Sequence, residues 1–305
     1  MAEFSAKDVA ELRKQTGCGM MDCKNALKDA NGDFEAAVKL LREKGMAATA
    51  KKASRIAAEG LVDIMTIGND TAIVEVNSET DFVAKNAIFQ EFVKDVLKTI
   101  IANKPADVDA LLASQFVLGG TVADALAEKT YTIGEKLSIR RFTIVEGVVA
   151  SYIHGLGATG VVVSFDTDVA DKDGFAECAK NVALQTAAMP VQYLDAASVP
   201  AAVLEEEKAI LIKQMQQDPK MANKPQNVLE NIVKGRIGKF YENNCLMNQA
   251  YVKDDSMTVA KYVETTAKAL GGSIKVTGYV RYDKGEGLEK REEDFAAEIQ
   301  KMVQG

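Results

Sequence analysis

Apolar residues recur at helical spacing through the first fifty positions and then change period. Val9 and Leu12 form a stripe behind Ser5 and Asp8, whose spacing resembles a capping box. Thr16-Gly17-Cys18-Gly19 interrupts this first helix. A second is predicted from about Met21 to Ala30, with Cys23, Ala26, Leu27 and Ala30 on one face. Asn31-Gly32 turns the chain, and Asp33 is placed to cap a third helix with Phe34, Val38 and Leu41 inward. "KGMAATAKKASRIAAEG" then reads as helix tail and linker, its lysines belonging to the linker.

Beyond Glu59 the period shortens to that of strands, and the pattern occurs twice. "EGLVDIMTIGNDTAIVEVNSETDFVAK" starts at Glu59 and "EGVVASYIHGLGATGVVVSFDTDVADK" at Glu146, an offset of 87 without a gap. Gly60 meets Gly147, Gly68 meets Gly155, Val74 meets Val161, Asp81 meets Asp168 and Lys85 meets Lys172. Each copy reads as strand, glycine turn, strand, acidic turn and helix. "EKLSIRRFTIVEG" (136–147) and "GGSIKVTGYVRYD" (271–283) are further strands. The expected fold class is α+β: an N-terminal three-helix bundle, then two similar subdomains, each a small antiparallel sheet with helices on one face.

The copies differ at one exposed-looking place. Phe82 follows the turn Ser78-Glu79-Thr80-Asp81, and its counterpart is Val169. A scaffold that needed an aromatic there would need it twice, which favours a separate task for Phe82. Drift after duplication accounts for the same difference, and a core Phe closing the helix onto the sheet is the simpler use.

Residues 201–217 and "QNVLENIVKGRIGKFYENN" repeat the helical period around the breaker "DPKMANKP", which predicts a helical hairpin inside the second copy. Such a hairpin binds partners, dimerises or packs on its own body. The tail "DFAAEIQKM" (294–302) puts Phe295, Ile299 and Met302 on one stripe of a short amphipathic helix. The expected domains are 1–56 for the bundle, 57–145 for the first subdomain, and 146–200 with 245–283 for the second. The hairpin occupies 201–244 and a C-terminal module 284–305.

Composition narrows the function. The net charge is −7 over 305 residues, which disfavours general nucleic-acid binding, because phosphate neutralisation needs clustered Lys and Arg. The bundle differs in sign: eleven basic against eight acidic residues give residues 1–56 a balance of +3, leaving −10 elsewhere. The N-terminus lacks a basic stretch followed by an apolar one, and no apolar run is long enough for a bilayer. Cys18, Cys23, Cys178 and Cys245 contain no CxxC pair, and a cytoplasmic, reducing compartment is expected. One histidine, His154, is too few for a zinc site with those cysteines, and neither metal nor cofactor is expected. "IGEKLS" lacks a phosphate-binding loop, and "GLGATG" joins two strands where a dinucleotide site would open a helix. A nucleophilic triad could only be built on His154, a lone histidine in a turn, and Glu79 with Asp81 could in principle form an acid–base pair, but nothing else convergent accompanies them. The chain reads as a protein that works by contact and not as an enzyme.

At "LRKQTGCGMMDCKNAL" (12–27) and "EVNSETDFVAKN" (75–86) the chain closely resembles the bacterial elongation factor Ts family of nucleotide-exchange factors. "SYIHG" (151–155) and "GEGLEKREEDFAAEI" (285–299) are similar to its second-subdomain turn and C-terminal module, so the likeness runs end to end. The resemblance implies a ubiquitin-associated-like (UBA-like) N-terminal bundle, a two-subdomain core, a helical hairpin and a C-terminal helical module. It implies one partner, the translational GTPase elongation factor Tu, and one task, promoting release of GDP and its magnesium so that GTP can rebind during elongation.

It also implies roles. Thr80, Asp81, Phe82 and Val83 match the turn that pushes into the GTPase near the magnesium end of its nucleotide site. Arg13, Met20, Met21 and Lys24 match the contacts of the N-terminal bundle. His154 with Gly155 matches the contact in the second subdomain, and Val252 lies at a contact valine whose flanking residues here depart from the family's. Of Met20 and Met21, one is expected to pack inward; Lys24 is expected to point outward. Asp81 has two readings: capping the following helix, since Asp168 repeats it in the copy without the Phe, or repelling the ligands of the bound ion. The hairpin leaves a homodimer or a 2:2 assembly with the GTPase open. The rival function is a UBA-like adaptor without exchange activity.

Overall fold

A computed structural model describes residues 4–16, 18–217 and 225–289. The stripe at 294–302, with Phe295, Ile299 and Met302, lies outside the described residues. Packing divides the chain into two compact units. The first is Met1–Ile144, Ile153–Gly160 and Tyr282–Gly305; the second is Val145–Tyr152 and Val161–Arg281.

The first unit opens with α1 (Ala6–Thr16), α2 (Met20–Asp29) and α3 (Phe34–Lys52). The Ser5–Asp8 box forms in both directions: Asp8 Oδ2 accepts from Ser5 N at 2.7 Å and Ser5 Oγ from Asp8 N at 3.3 Å. Asp33 accepts from Ala36 N at 3.0 Å and starts α3 as expected. Val9, Leu12, Cys23, Ala26, Leu27 and Leu41 bury against one another as the bundle's core.

The segment 44–60 is a helix tail followed by a linker, as expected, but the tail is not free in solvent. α3 continues unbroken through Gly45 to Lys52 and packs on α7 (Val122–Ile133). The glycine there allows close approach: a Cβ at position 45 would lie 3.2 Å from the Ala127 carbonyl oxygen. Lys52 is not a solvated linker lysine either, since its Nζ donates to Thr130 O at 3.1 Å. The bundle is thus fastened to the body through α3 and α7. Tyr131 of α7 adds to this by packing on the bundle core.

Strands β1 (Glu59–Ile67) and β2 (Asp70–Ser78) pair antiparallel from Glu59↔Ser78 to Ile67↔Asp70. They form a sheet in the order β1-β2-β3, with β3 at Ser138–Glu146. Every residue of β2 from Thr71 to Ser78 is buried, so this central strand is covered on both faces. A one-turn helix, α4 (Asp81–Ala84), leads to α5 (Ala87–Asn103), whose Phe89, Phe92, Leu97 and Ile100 pack with Val74, Val76 and Leu61. α6 (Val108–Ala113) and α7 complete the layer.

The second unit repeats this order. β4 (Val148–His154), β5 (Thr159–Thr167) and β8 (Ile274–Asp283) form the sheet β4-β5-β8. α8 (Asp173–Ala188) follows β5, and α11 (Val259–Leu270) precedes β8 as α7 precedes β3. Both glycine pairs of the repeat adopt matching backbone: φ is +109° at Gly60 and +98° at Gly147, +62° at Gly68 and +59° at Gly155. Between α8 and α11 lie α9 (Ala201–Gln217) and α10 (Gln226–Asn244), which pack on each other, and the short pair β6 (Ala250–Tyr251) and β7 (Asp254–Thr258). On α9, Leu211 and Met215 are buried while Ile210 and Ile212 stay exposed. Among the described residues no helix is long and apolar enough to cross a membrane.

Candidate functional site

The exit from β2 places Phe82 outside. Its side chain is 78% exposed, against 2% for Val169 at the matching place in the second unit. The segment carrying it is held on both sides. Upstream, Glu135, just past the glycine that ends α7, accepts three hydrogen bonds. They come from Glu79 N at 3.1 Å and Thr80 N at 2.9 Å to one oxygen, and from Thr80 Oγ1 at 2.6 Å to the other. Glu79 answers in the opposite sense, accepting from Lys136 N at 2.6 Å and from Arg55 at 3.1 Å. Downstream, Val83 is buried in the core with Val76 and Phe89. The ring therefore stands on a backbone with little freedom to retreat.

Two expectations are corrected here. Val83 is not a surface residue and anchors α4 from beneath. Asp81 is not a helix cap: Thr80 occupies the cap position without a side-chain bond, and Asp81 is the first helical residue. Its carboxylate instead receives Lys85 Nζ at 2.6 Å, a bond that holds the carboxyl below the ordinary aspartate range. Lys85 also lies 5.8 Å from the centre of the Phe82 ring. Asp168 caps nothing either, and its Oδ1 accepts from Ser273 N at 2.6 Å.

On α2 both Met20 and Met21 face solvent, at 45% and 63% exposure, so neither packs inward. Asp22 and Cys23 take the inner side, and Lys24 is exposed as expected. Arg13 on α1 is exposed as well. In the turn after β4, His154 and Gly155 are exposed, and the next residue, Leu156, is 85% exposed with a left-handed backbone at φ +56°. Leu156 was not singled out from sequence, although a leucine between two glycines in "HGLGATG" is a readable signal. Val252 in the second unit is 53% exposed, its N–H fixed by Gln185 Oε1 at 2.7 Å.

Behind the Phe82 segment lies a group that local pattern hid. Glu75 in β2 is fully buried, with Arg140 at 3.0 Å and Arg141 at 2.6 Å. Gly285 N donates to it at 2.8 Å and Asn77 Nδ2 at 3.1 Å. Burial alone would raise its pKa, but these donors outweigh it and leave the carboxyl below the ordinary glutamate value. Arg141 continues to Glu286 at 3.0 Å, so Glu75 fastens the segment 283–288 onto β2 and β3.

Residues 79–286 match the family model described as elongation factor TS. The chain is similar over 99% of its length, and 99% of theirs, to three proteins named elongation factor Ts: 46% identical to that of Syntrophotalea carbinolica, 44% to that of Magnetococcus marinus and 43% to that of Clostridium kluyveri. With the α+β architecture and repeated sheets described above, the chain belongs to the elongation factor Ts family.

Proposed function

We propose that this chain is a guanine-nucleotide exchange factor that binds elongation factor Tu in the cytoplasm and expels GDP by inserting Phe82 into it. The observation that carries this reading is a large aromatic side chain, 78% exposed, on a segment clamped at both ends. Hiding such a ring in a partner pocket favours the complex by about 2–3 kcal/mol. If the pocket opens only when the partner's magnesium-binding segment shifts, that energy is coupled to loss of the ion and nucleotide. By linkage, a factor that binds the nucleotide-free GTPase about 3 kcal/mol better weakens GDP by roughly 150-fold. The chain acts by contact and makes or breaks no covalent bond.

The remaining contacts divide the work. Arg13, Met20, Met21 and Lys24 present a basic and adaptable apolar face, suited to holding the GTPase whether or not nucleotide is bound. His154 and Gly155, with Leu156 added, form a second exposed tip in the same unit as Phe82. Val252 supplies a lesser contact from the second unit. Release of a fluorescent GDP analogue from elongation factor Tu, with and without this protein, tests the proposal. Faster release that saturates with its concentration is expected. Binding without faster release would leave the adaptor reading in its place.

A further inference from the structure

The two copies of the strand–turn–strand unit close the same junction in opposite ways. In each, a helix ends on a left-handed glycine, Gly134 or Gly271, and the chain enters the third strand three or four residues later. In the second unit the next residue is Gly272, which has no room for a side chain: a Cβ there would lie 2.3 Å from Val169 Cγ1 and 2.5 Å from Asp168 Oδ1. The junction closes through Ser273 N on Asp168 and Thr167 Oγ1 on Ser273 O at 2.7 Å, and Val169 is buried beside it. In the first unit the same place holds Glu135. Its carboxylate reaches the facing turn and takes both backbone N–H groups of Glu79 and Thr80 together with the Thr80 hydroxyl. Both corners thus use a carboxylate, but in opposite directions: Asp168 of the turn takes one amide of the junction, whereas Glu135 of the junction takes two amides and a hydroxyl of the turn that carries the exposed aromatic residue.

We propose that Glu135 is a positioning residue: its carboxylate fixes the exit from β2 so that Phe82 is presented to the partner and does not turn in as Val169 does. The proposal rests on the exchange reading above and deepens it. The converging donors are two amides and a hydroxyl within two residues of Phe82, so losing the carboxylate frees the backbone that aims the ring. Lys136 extends the clamp. Its Nζ donates to Ala53 O at 2.7 Å and Arg55 O at 2.8 Å, tying the end of the N-terminal bundle to the same corner. Glu135 is not itself one of the proposed contact residues and acts on them through Thr80, so it should act on how well bound factor expels nucleotide and little on how tightly it binds.

The test follows nucleotide release from elongation factor Tu against rising concentrations of full-length chain, for wild type, Glu135→Gln, Glu135→Ala, Phe82→Ala and the Phe82→Ala/Glu135→Ala double variant. Glu135→Ala should lower the saturating rate about tenfold or more, with the half-saturating concentration within about threefold of wild type. Glu135→Gln keeps one acceptor and should lie between, which preserves the test if the alanine variant folds poorly. In the Phe82→Ala background the Glu135 change should cost no more than about twofold, since both act through one ring. An equal loss in both backgrounds, or a loss confined to the half-saturating concentration, overturns the proposal. A wild-type chain that fails to speed release would end the exchange reading, and the clamp is then judged by amide exchange. The Glu79 and Thr80 amides should exchange about 100-fold faster in Glu135→Ala with those of β2 unchanged, and unaltered protection overturns the proposal by itself.

Discussion

Residues 79–83 and 166–170 occupy the same place in two copies of one scaffold and do opposite things. In the second unit Val169 is the residue of this stretch that goes under, and Asp168 is spent on the Ser273 amide. In the first unit Val83 alone goes under, Asp81 pairs outward with Lys85, and Phe82 faces solvent. The glycine conformations and strand order are shared, so the scaffold does not dictate exposure. The difference lies in side chains that reach the corner from far along the chain, and it separates a side chain buried in the fold from one left exposed.

The inner faces differ as sharply, and this gives the largest expected effect. Glu75 is matched at the offset of 87 by Val162, and both are fully buried. Glu75→Ala would strand Arg140 and Arg141 and leave the Gly285 amide unpaired. We expect it to cost about 3–5 kcal/mol in urea unfolding. A loss under about 1 kcal/mol would mean that the first unit tolerates an apolar position there as the second does. The same group gives a pH signature. Its folded pKa lies below the ordinary glutamate value of 4.5, so its stabilisation is complete above that value and is lost as pH falls through the folded value. Thermal unfolding of wild type should fall off in that acid range, and Glu75→Gln should flatten the fall.

Next in size is the contrast between the paired positions themselves. Val169→Ala removes a buried side chain and should cost about 1–2 kcal/mol. Phe82→Ala, although it deletes far more apolar surface, should leave unfolding within about 0.5 kcal/mol of wild type. A reversed order in urea melts would place the Phe82 ring in the core and undo the comparison.

Most of the scaffold was legible in the sequence. The Ser5–Asp8 box, the Asp33 cap and the ungapped repeat are local or periodic signals, and the structure carries each of them. What escaped were features made by distant partners. Glu75 looks like an ordinary strand residue until Arg140 and Arg141, some 65 residues on, are brought to it. Lys52 looks like a linker lysine because the Thr130 carbonyl that takes its ammonium lies 78 residues on. Asp81 looks like a cap, but the helix starts one residue early and Lys85 claims the carboxylate. The resemblance groups Val83 with Phe82, and a one-turn helix is too short for its period to show which of the two faces in. The exposed side chain itself was legible as an aromatic residue after a turn that the second copy replaces with Val169.

The most direct test of the central claim converts one copy toward the other. Phe82→Val puts the second unit's residue on the first unit's clamped turn. Nucleotide release from elongation factor Tu at saturating factor, measured beside the melting temperature of the variant, should show a large loss of rate with unchanged melting. A variant that melts lower, or one that releases nucleotide as fast as wild type, would contradict the account, because Phe82 would then belong to the fold or be idle in exchange.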